Sequence, residues 1–275
     1  VRDAGWILVN FFDKLSLIRE RLLMKKWALV LMGLLAVTIP ALLLAQTVAT
    51  QPATQPAPIK LLVVTGGHGY QHDPFFQMFK NNHEVVYTEA SQGKFTGTAT
   101  AYDRDDLLSY DVVLLYDFQL NITDAAKKKF LSLFDKGTGL IVLHHALLSY
   151  QSWPEYERIA GGSYLLDYKK YPDKVWPAST YQGGVEMKVS VVDKDHPVTA
   201  GIQDFELKDE LYRGVPTGAD IQVLLTTEGK PLAWARTEKN SRVVTIMLGH
   251  GPGSYDNPNF LKLLGNAIRW TAKRN

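Results

Sequence analysis

The sequence predicts an α/β domain built on a mostly parallel sheet flanked by helices, and three observations carry that prediction. From Ile59 onward, short apolar runs alternate with segments of helical spacing, as βαβ units do. Residues 140–143 are apolar throughout, the pattern of a strand buried on both faces. Three of the apolar runs also end in histidine. Residues 59–65 lead through Gly66-Gly67 to His68 and His72, residues 139–143 run into His144-His145, and residues 242–248 pass through Gly249 to His250. Open α/β sheets bind ligands outside the carboxyl ends of their strands. Three strands are therefore expected to deliver imidazoles to one polar crevice.

The elements follow in order. After the first strand, residues 74–80 suit a short helix; residues 83–89 and 110–116 read as the second and third strands. Thr123 can cap a helix over 124–135, with Ala125, Phe130, Leu131 and Phe134 near helical spacing and Gly137 at its end. Residues 149–183, rich in Tyr, Trp, Pro, Gly and Lys, show no periodicity and predict an irregular excursion over the strand ends, with a short helix at 153–160. Residues 185–192 alternate as a more exposed strand does. Residues 221–226, 231–236 and 242–248 form a run of strands, the last two joined by residues 237–241. A closing helix at 257–273 sets Phe260, Leu261, Leu264, Ala267, Ile268 and Thr271 on one face. There is no internal repeat.

At 275 residues and 46% hydrophobic content, the chain can bury a full core. It has no cysteine, which excludes disulfides, thiolate metal sites, Cys nucleophiles and a lipidated Cys together. The formal charge of +2 is unevenly spread: residues 1–49 hold six of the 30 Lys/Arg and three of the 28 acids. The remainder has 24 basic and 25 acidic residues, so it lacks the basic excess of a nucleic-acid binder.

Met24-Lys25-Lys26 followed by an apolar stretch over 27–45 has the form of a secretory signal, with small residues at Thr47-Val48-Ala49 for cleavage. The stretch is long for a signal core, and ~20 apolar residues span a bilayer. Residues 24–49 are thus a signal peptide or an uncleaved anchor, and the protein is expected to be exported, periplasmic or extracellular, touching membrane only through this segment. Residues 1–23 are expected to be an upstream extension, with Met24 the initiator. Residues 50–58, near-repetitive and Pro-rich, predict an extended spacer, and the folded domain is expected over 59–275.

In this order the pieces resemble the ThuA-like family, named for a protein of bacterial trehalose utilisation. The matching stretches are Gly66-Gly67-His68 with His72, residues 139–146, residues 195–202, Asp209-Glu210-Leu211-Tyr212, and Gly249-His250-Gly251. The resemblance covers about residues 59–274 and implies a flavodoxin-like sheet, similar to that of the class I glutamine amidotransferases. One departure from the amidotransferases is decisive. Their nucleophile is a Cys on the turn after a central strand, and here that turn carries His144-His145, so glutamine hydrolysis through a thiolate is excluded.

Imidazole titrates near neutrality and is the commonest metal ligand, so the histidines lead the candidates for catalysis. His144 is the favoured member of its pair; His145 is expected to support it or contact substrate. Glycines around His250 and His68 allow close approach of a ligand. His72, before Asp73-Pro74, either binds substrate or starts a helix. Asp209 and Glu210 are the best placed acids, and the resemblance favours Glu210 as catalytic, with Tyr212 beside it. Asp117 and Tyr255 are further substrate-binding candidates, and Tyr116, Trp153, Tyr164 and Trp176 could supply aromatic faces. His196 reads as structural and His83 as solvated. No metal ligand set is assigned; a divalent ion such as zinc is compatible with these residues but not forced, since no helical His-x₃-His or H-E-x-x-H occurs.

The resemblance implies a small-molecule carbohydrate substrate, trehalose, a glycoside or a keto-sugar derivative, and pairs such proteins with a sugar oxidoreductase of the same pathway. An imidazole or carboxylate would take a proton next to a carbonyl, and a second His or a metal would stabilise the enolate. Such chemistry serves a sugar isomerase, hydratase or lyase. The alternative is a non-catalytic exported sugar-binding or accessory protein. Convergence of His68, His144, His250 and Glu210 discriminates the two.

Overall fold

The computed structural model describes residues 56–274 apart from Thr96 and Thr98. The expected upstream extension at 1–23, the expected leader at 24–49 and residues 50–55 of the expected spacer lie outside the described residues. Among the described residues no helix is long and apolar enough to cross a membrane.

The first half of the domain comprises β1 (Ile59–Gly67), α1 (His72–Lys80), β2 (Val85–Lys94), β3 (Val112–Asp117), α2 (Asp124–Lys136), β4 (Gly139–Leu143) and α3 (Pro154–Ala160). The second half adds β5 (Lys169–Lys170), β6 (Val175–Trp176), β7 (Thr180–Val191), β8 (Phe205–Arg213), β9 (Gln222–Thr227), β10 (Lys230–Glu238), β11 (Ser241–Ile246), α4 (Pro252–Tyr255) and α5 (Pro258–Thr271). One sheet runs β2-β1-β3-β4-β11-β10-β9-β7-β8; β5 and β6 form a separate small hairpin. From β2 to β11 every neighbour is parallel, and from β11 to β8 every neighbour is antiparallel.

The parallel part has the flavodoxin-like order, with its switch point between β1 and β3. Its central strands are the apolar runs expected of a sheet covered on both faces: every residue of β3 and β4 is buried. Helix ends follow local chemistry. Thr123 accepts the Ala126 N–H at the start of α2, and Gly137, at φ +88°, closes it. Asn257 accepts the N–H groups of Asn259 and Phe260 to start α5. The closing helix buries Phe260, Leu263, Leu264, Ala267 and Ile268 and packs on β4 and β11.

Three strands of the main sheet differ from the sequence reading. Strand β2 continues past Glu89 through a polar stretch to Lys94, because the backbone of β1 pairs with it as far as Gly67↔Lys94. Strand β7 starts at Thr180, and its early residues are held by the unexpected strand β8, from Thr180↔Arg213 to Val189↔Phe205. Only Ser190 and Val191 of β7 pair with β9. The β7–β8 pair is therefore a long two-stranded ribbon attached to the sheet through the end of one strand.

Candidate active site

The carboxyl ends of the parallel strands are in register. Gly66 of β1 lies beside Asp117 of β3, and Leu143 of β4 beside Ile246 of β11. The residues that follow these ends must then share one edge. Gly67 takes φ +77° and lies against the loop after β3; a Cβ there would meet the Phe118 carbonyl oxygen at 1.8 Å. Only glycine allows that approach, and it aims His68 back over the edge. His144 itself turns the chain with φ +50°, left-handed backbone that costs a non-glycine residue about 1–3 kcal/mol and concentrates at functional sites.

His144 is fully buried. Its Nδ1 lies 2.7 Å from the Met247 carbonyl oxygen. A carbonyl only accepts, so Nδ1 carries the proton and a neutral ring presents the Nε2 lone pair. Toward that Nε2 come the Tyr212 hydroxyl at 2.9 Å, His250 Nδ1 at 3.2 Å and Glu210 Oε2 at 3.3 Å. Glu210 Oε2 is also 3.6 Å from His250 Nδ1. Glu210 and Tyr212, two apart on β8, project from the same face of that strand. The Tyr212 ring stacks on His144 with centroids 4.7 Å apart, and Tyr164 meets Tyr212 edge-on at 4.8 Å, so the excursion after β4 does reach this site. His144, His250 and Glu210 together offer the ligand atoms of a small cation site.

Asp209 works through the backbone. Its buried carboxylate accepts the Gly249 N–H at 2.7 Å, the His250 N–H at 3.1 Å and the Ser254 hydroxyl. The loop carrying His250 is thereby pinned to β8. The two segments touch closely: a Cβ on Gly253 would lie 2.0 Å from the Lys208 carbonyl oxygen. From the other side Tyr116 donates to the Gly249 carbonyl at 2.8 Å, and Tyr255 to the His250 carbonyl at 3.2 Å.

Electrostatics follow burial. Burial alone would raise the Glu210 carboxyl, but the adjoining His144 and His250 side chains and the Tyr212 hydroxyl outweigh this and hold it below its ordinary value. Burial, then the neighbouring His144, push His250 down. Burial and adjacent imidazoles keep His145 neutral. Burial pushes the Tyr255 phenol up to about 12, and drives Tyr212 well above its usual range.

The other candidates sort clearly by position. His68 is exposed at the mouth, its ring stacked on His145 at 4.7 Å and 5.9 Å from that of His250. Its Nδ1 donates to the Gly69 carbonyl at 2.8 Å, leaving Nε2 as the ring's acceptor. His145 lies beneath, its Nε2 donating to the Tyr116 carbonyl at 3.0 Å and its buried Nδ1 without a partner. Tyr255 is a buried prop, 2.7 Å from the Tyr116 hydroxyl. His72 opens α1 at the exposed periphery, paired with Asp73 and Glu89, whose hydrogen bonds raise it. Asp117 ends β3 as expected but is turned into the protein, fully buried against Gln92 at 2.5 Å and Tyr150 at 3.4 Å. His196 caps the turn at Pro197–Thr199, and Trp153 packs in the core on Phe130 and Tyr156. The sequence reading did not find Met247 and Ser254, which act through a backbone carbonyl and a hydroxyl that no pattern marks.

A cavity of about 280 Å³ adjoins the cluster, lined by Tyr212 and Met247 together with Trp176, Arg213, Glu228 and Lys230. It combines aromatic faces with convergent polar groups, as ligand sites do.

A family model, ThuA, described as trehalose utilisation, matches residues 60–271. No curated protein matches the chain. Among solved structures, a ThuA-like protein from Parabacteroides merdae aligns with a TM-score of 0.65 at 22% identity, over 78% of this chain and 90% of its own. A ThuA-like protein from Bacteroides uniformis gives 0.58 at 21%, over 80% and 94%. A cytoplasmic protein from Salmonella typhimurium gives 0.50 at 14%, over 76% and 98%. At these identities the likenesses speak to the fold.

Proposed function

This chain belongs to the ThuA family of trehalose utilisation, and on that premise we propose that it is an enzyme acting on a keto-type sugar derivative. The reaction removes a proton from the carbon beside the carbonyl. His68 Nε2 takes that proton, the C–H pair moves toward the carbonyl, and the charge gathers on oxygen. A proton held by the His144–His250–Glu210 cluster is offered to that oxygen and stabilises the enolate. Reprotonation elsewhere gives isomerisation; loss of a β-substituent gives elimination.

The observation that carries this reading is convergence. Side chains from β8 and from the loops after β1, β4 and β11 meet within hydrogen-bonding or ring-contact distance, around a histidine held in unfavourable backbone. An accessory protein that only holds sugar has no need of such a cluster. The pair of opposed carboxylates that glycoside hydrolysis normally uses is also missing from this group: Glu210 meets two imidazoles, and the Asp209 carboxylate is engaged by backbone. A sugar oxidoreductase would supply the keto group. The leader at residues 24–49 would place the reaction outside the cytoplasm, which fractionation of cells making the full chain tests.

The direct test incubates the protein with trehalose and, separately, with keto-glycosides, and follows product formation. Turnover is expected only with the keto-sugars. His68→Ala is expected to lower kcat by about 10²–10⁴-fold, the usual worth of a general base, and His144→Ala to abolish activity. Turnover that survives His144→Ala overturns the assignment.

A further inference from the structure

We propose that His144 Nε2, His250 Nδ1 and Glu210 Oε2 are the three protein ligands of a divalent metal ion, zinc by geometry, with a fourth position open. The proposal deepens the reading above and rests on it for the reaction, but not for the ion.

The three atoms form a triangle with sides of 3.2, 3.3 and 3.6 Å. Zinc–nitrogen and zinc–oxygen bonds of about 2.1 Å at tetrahedral angles require donors about 3.4 Å apart. A point about 2.1 Å from all three atoms stands about 0.8 Å out of their plane; in an ideal tetrahedron it stands about 0.7 Å out. An octahedral ion with bonds near 2.1 Å needs donors only about 3.0 Å apart, a poorer match. Two imidazoles and a carboxylate with one position left open are also the donor set of catalytic zinc.

Charge and protons point the same way. With Nδ1 of His144 committed to the Met247 carbonyl, Nε2 is an acceptor facing a carboxylate oxygen, which is also an acceptor. A proton placed between them satisfies one edge of the triangle; a divalent cation satisfies all three at once. The supports are those a metal site needs. The Met247 carbonyl fixes the His144 tautomer, as outer partners of metal-bound histidines do, and Asp209 anchors the backbone on which His250 sits. The Tyr212 hydroxyl can turn its proton from His144 to Glu210, freeing the nitrogen for an ion. His144 is sealed while the His250 side chain is 41% exposed, so the ion has a way in and its open position a way to substrate.

In the test, the full chain is stripped with chelator, dialysed and titrated with zinc and with cobalt. Binding is read by calorimetry and by the visible absorption of low-symmetry cobalt. One equivalent per chain is expected. Glu210→Gln, nearly isosteric, and His250→Ala should each weaken binding at least about 100-fold while keeping the wild-type circular dichroism. Failure of the folded wild type to bind either ion overturns the proposal, as does unchanged binding in both variants. Metal bound without turnover of any keto-sugar sinks the substrate reading and leaves the ion standing. Full turnover in the presence of chelator does the reverse.

Discussion

Asp209 allows the construction of the site to be tested without touching a reacting atom. Asp209→Ala removes a buried carboxylate that holds the N–H groups of Gly249 and His250 and the Ser254 hydroxyl. The hydroxyl can turn to another partner, but the two backbone groups point from a packed loop into the space left behind. Each stranded N–H costs about 1–3 kcal/mol, and bonds to a charged acceptor are the stronger kind. The sum is about 4 kcal/mol, a large part of the roughly 5–15 kcal/mol that holds a domain folded. For a domain of this size 1 kcal/mol moves Tm by about 2–4 °C, so the variant should melt about 8–16 °C lower. Asp209→Asn keeps the shape and one acceptor oxygen, and should recover part of the loss. Thermal unfolding of the three proteins reads the stability. Zinc titration and keto-sugar turnover, measured well below the new Tm, read the placement of His250. An alanine variant melting within about 2 °C of wild type would refute the stability argument. One that melts early yet binds zinc and turns over normally would show that the loop holds its shape without Asp209.

Two further outcomes follow from the same packing. Burial, opposed by the hydrogen bond from Gln92, pushes the Asp117 carboxyl up to about 7. The unfolded chain ionises this group near pH 4, so the folded state is penalised increasingly from there to about pH 7 and fully above it. Asp117→Asn should therefore gain on wild type as pH rises from 5 to 8, by about 3 kcal/mol, in urea midpoints; parallel pH profiles would contradict it. Gly67→Ala would drive a methyl into the Phe118 carbonyl at a φ of +77°, costing about 3 kcal/mol or more and displacing His68. Wild-type stability with unchanged kcat would be incompatible with that account.

Most of the parallel core was legible because its physics is local. An apolar run such as Leu140–Leu143 has no stable place but a buried strand, and Thr123, Gly137 and Asn257 mark helix ends through hydrogen bonds to their own neighbours. The gathering of His68, His144 and His250 followed from the rule for strand ends. Strand β8 escaped because its buried face reads Phe205, Leu207, Asp209, Leu211, and the acid interrupts the alternation where the site needs it. The polar extension of β2 escaped too, since the partner strand dictates it. Side-chain direction was the other blind spot. Asp117 stands at a strand end as expected, yet Gln92, brought from another strand, draws its carboxylate inward.

The division of labour between sheet and ribbon bears on how such a site can be altered. Every imidazole of the cluster is rooted in the parallel half, whereas the carboxylate and the phenol arrive on an antiparallel appendage joined through Ser190 and Val191. Without that ribbon the cluster would lose Glu210 and Tyr212, and the His250 loop would lose its Asp209 anchor. By the same reasoning, exchanging residues along one accessory hairpin can retune acidity and substrate choice while the inherited framework stays as it is.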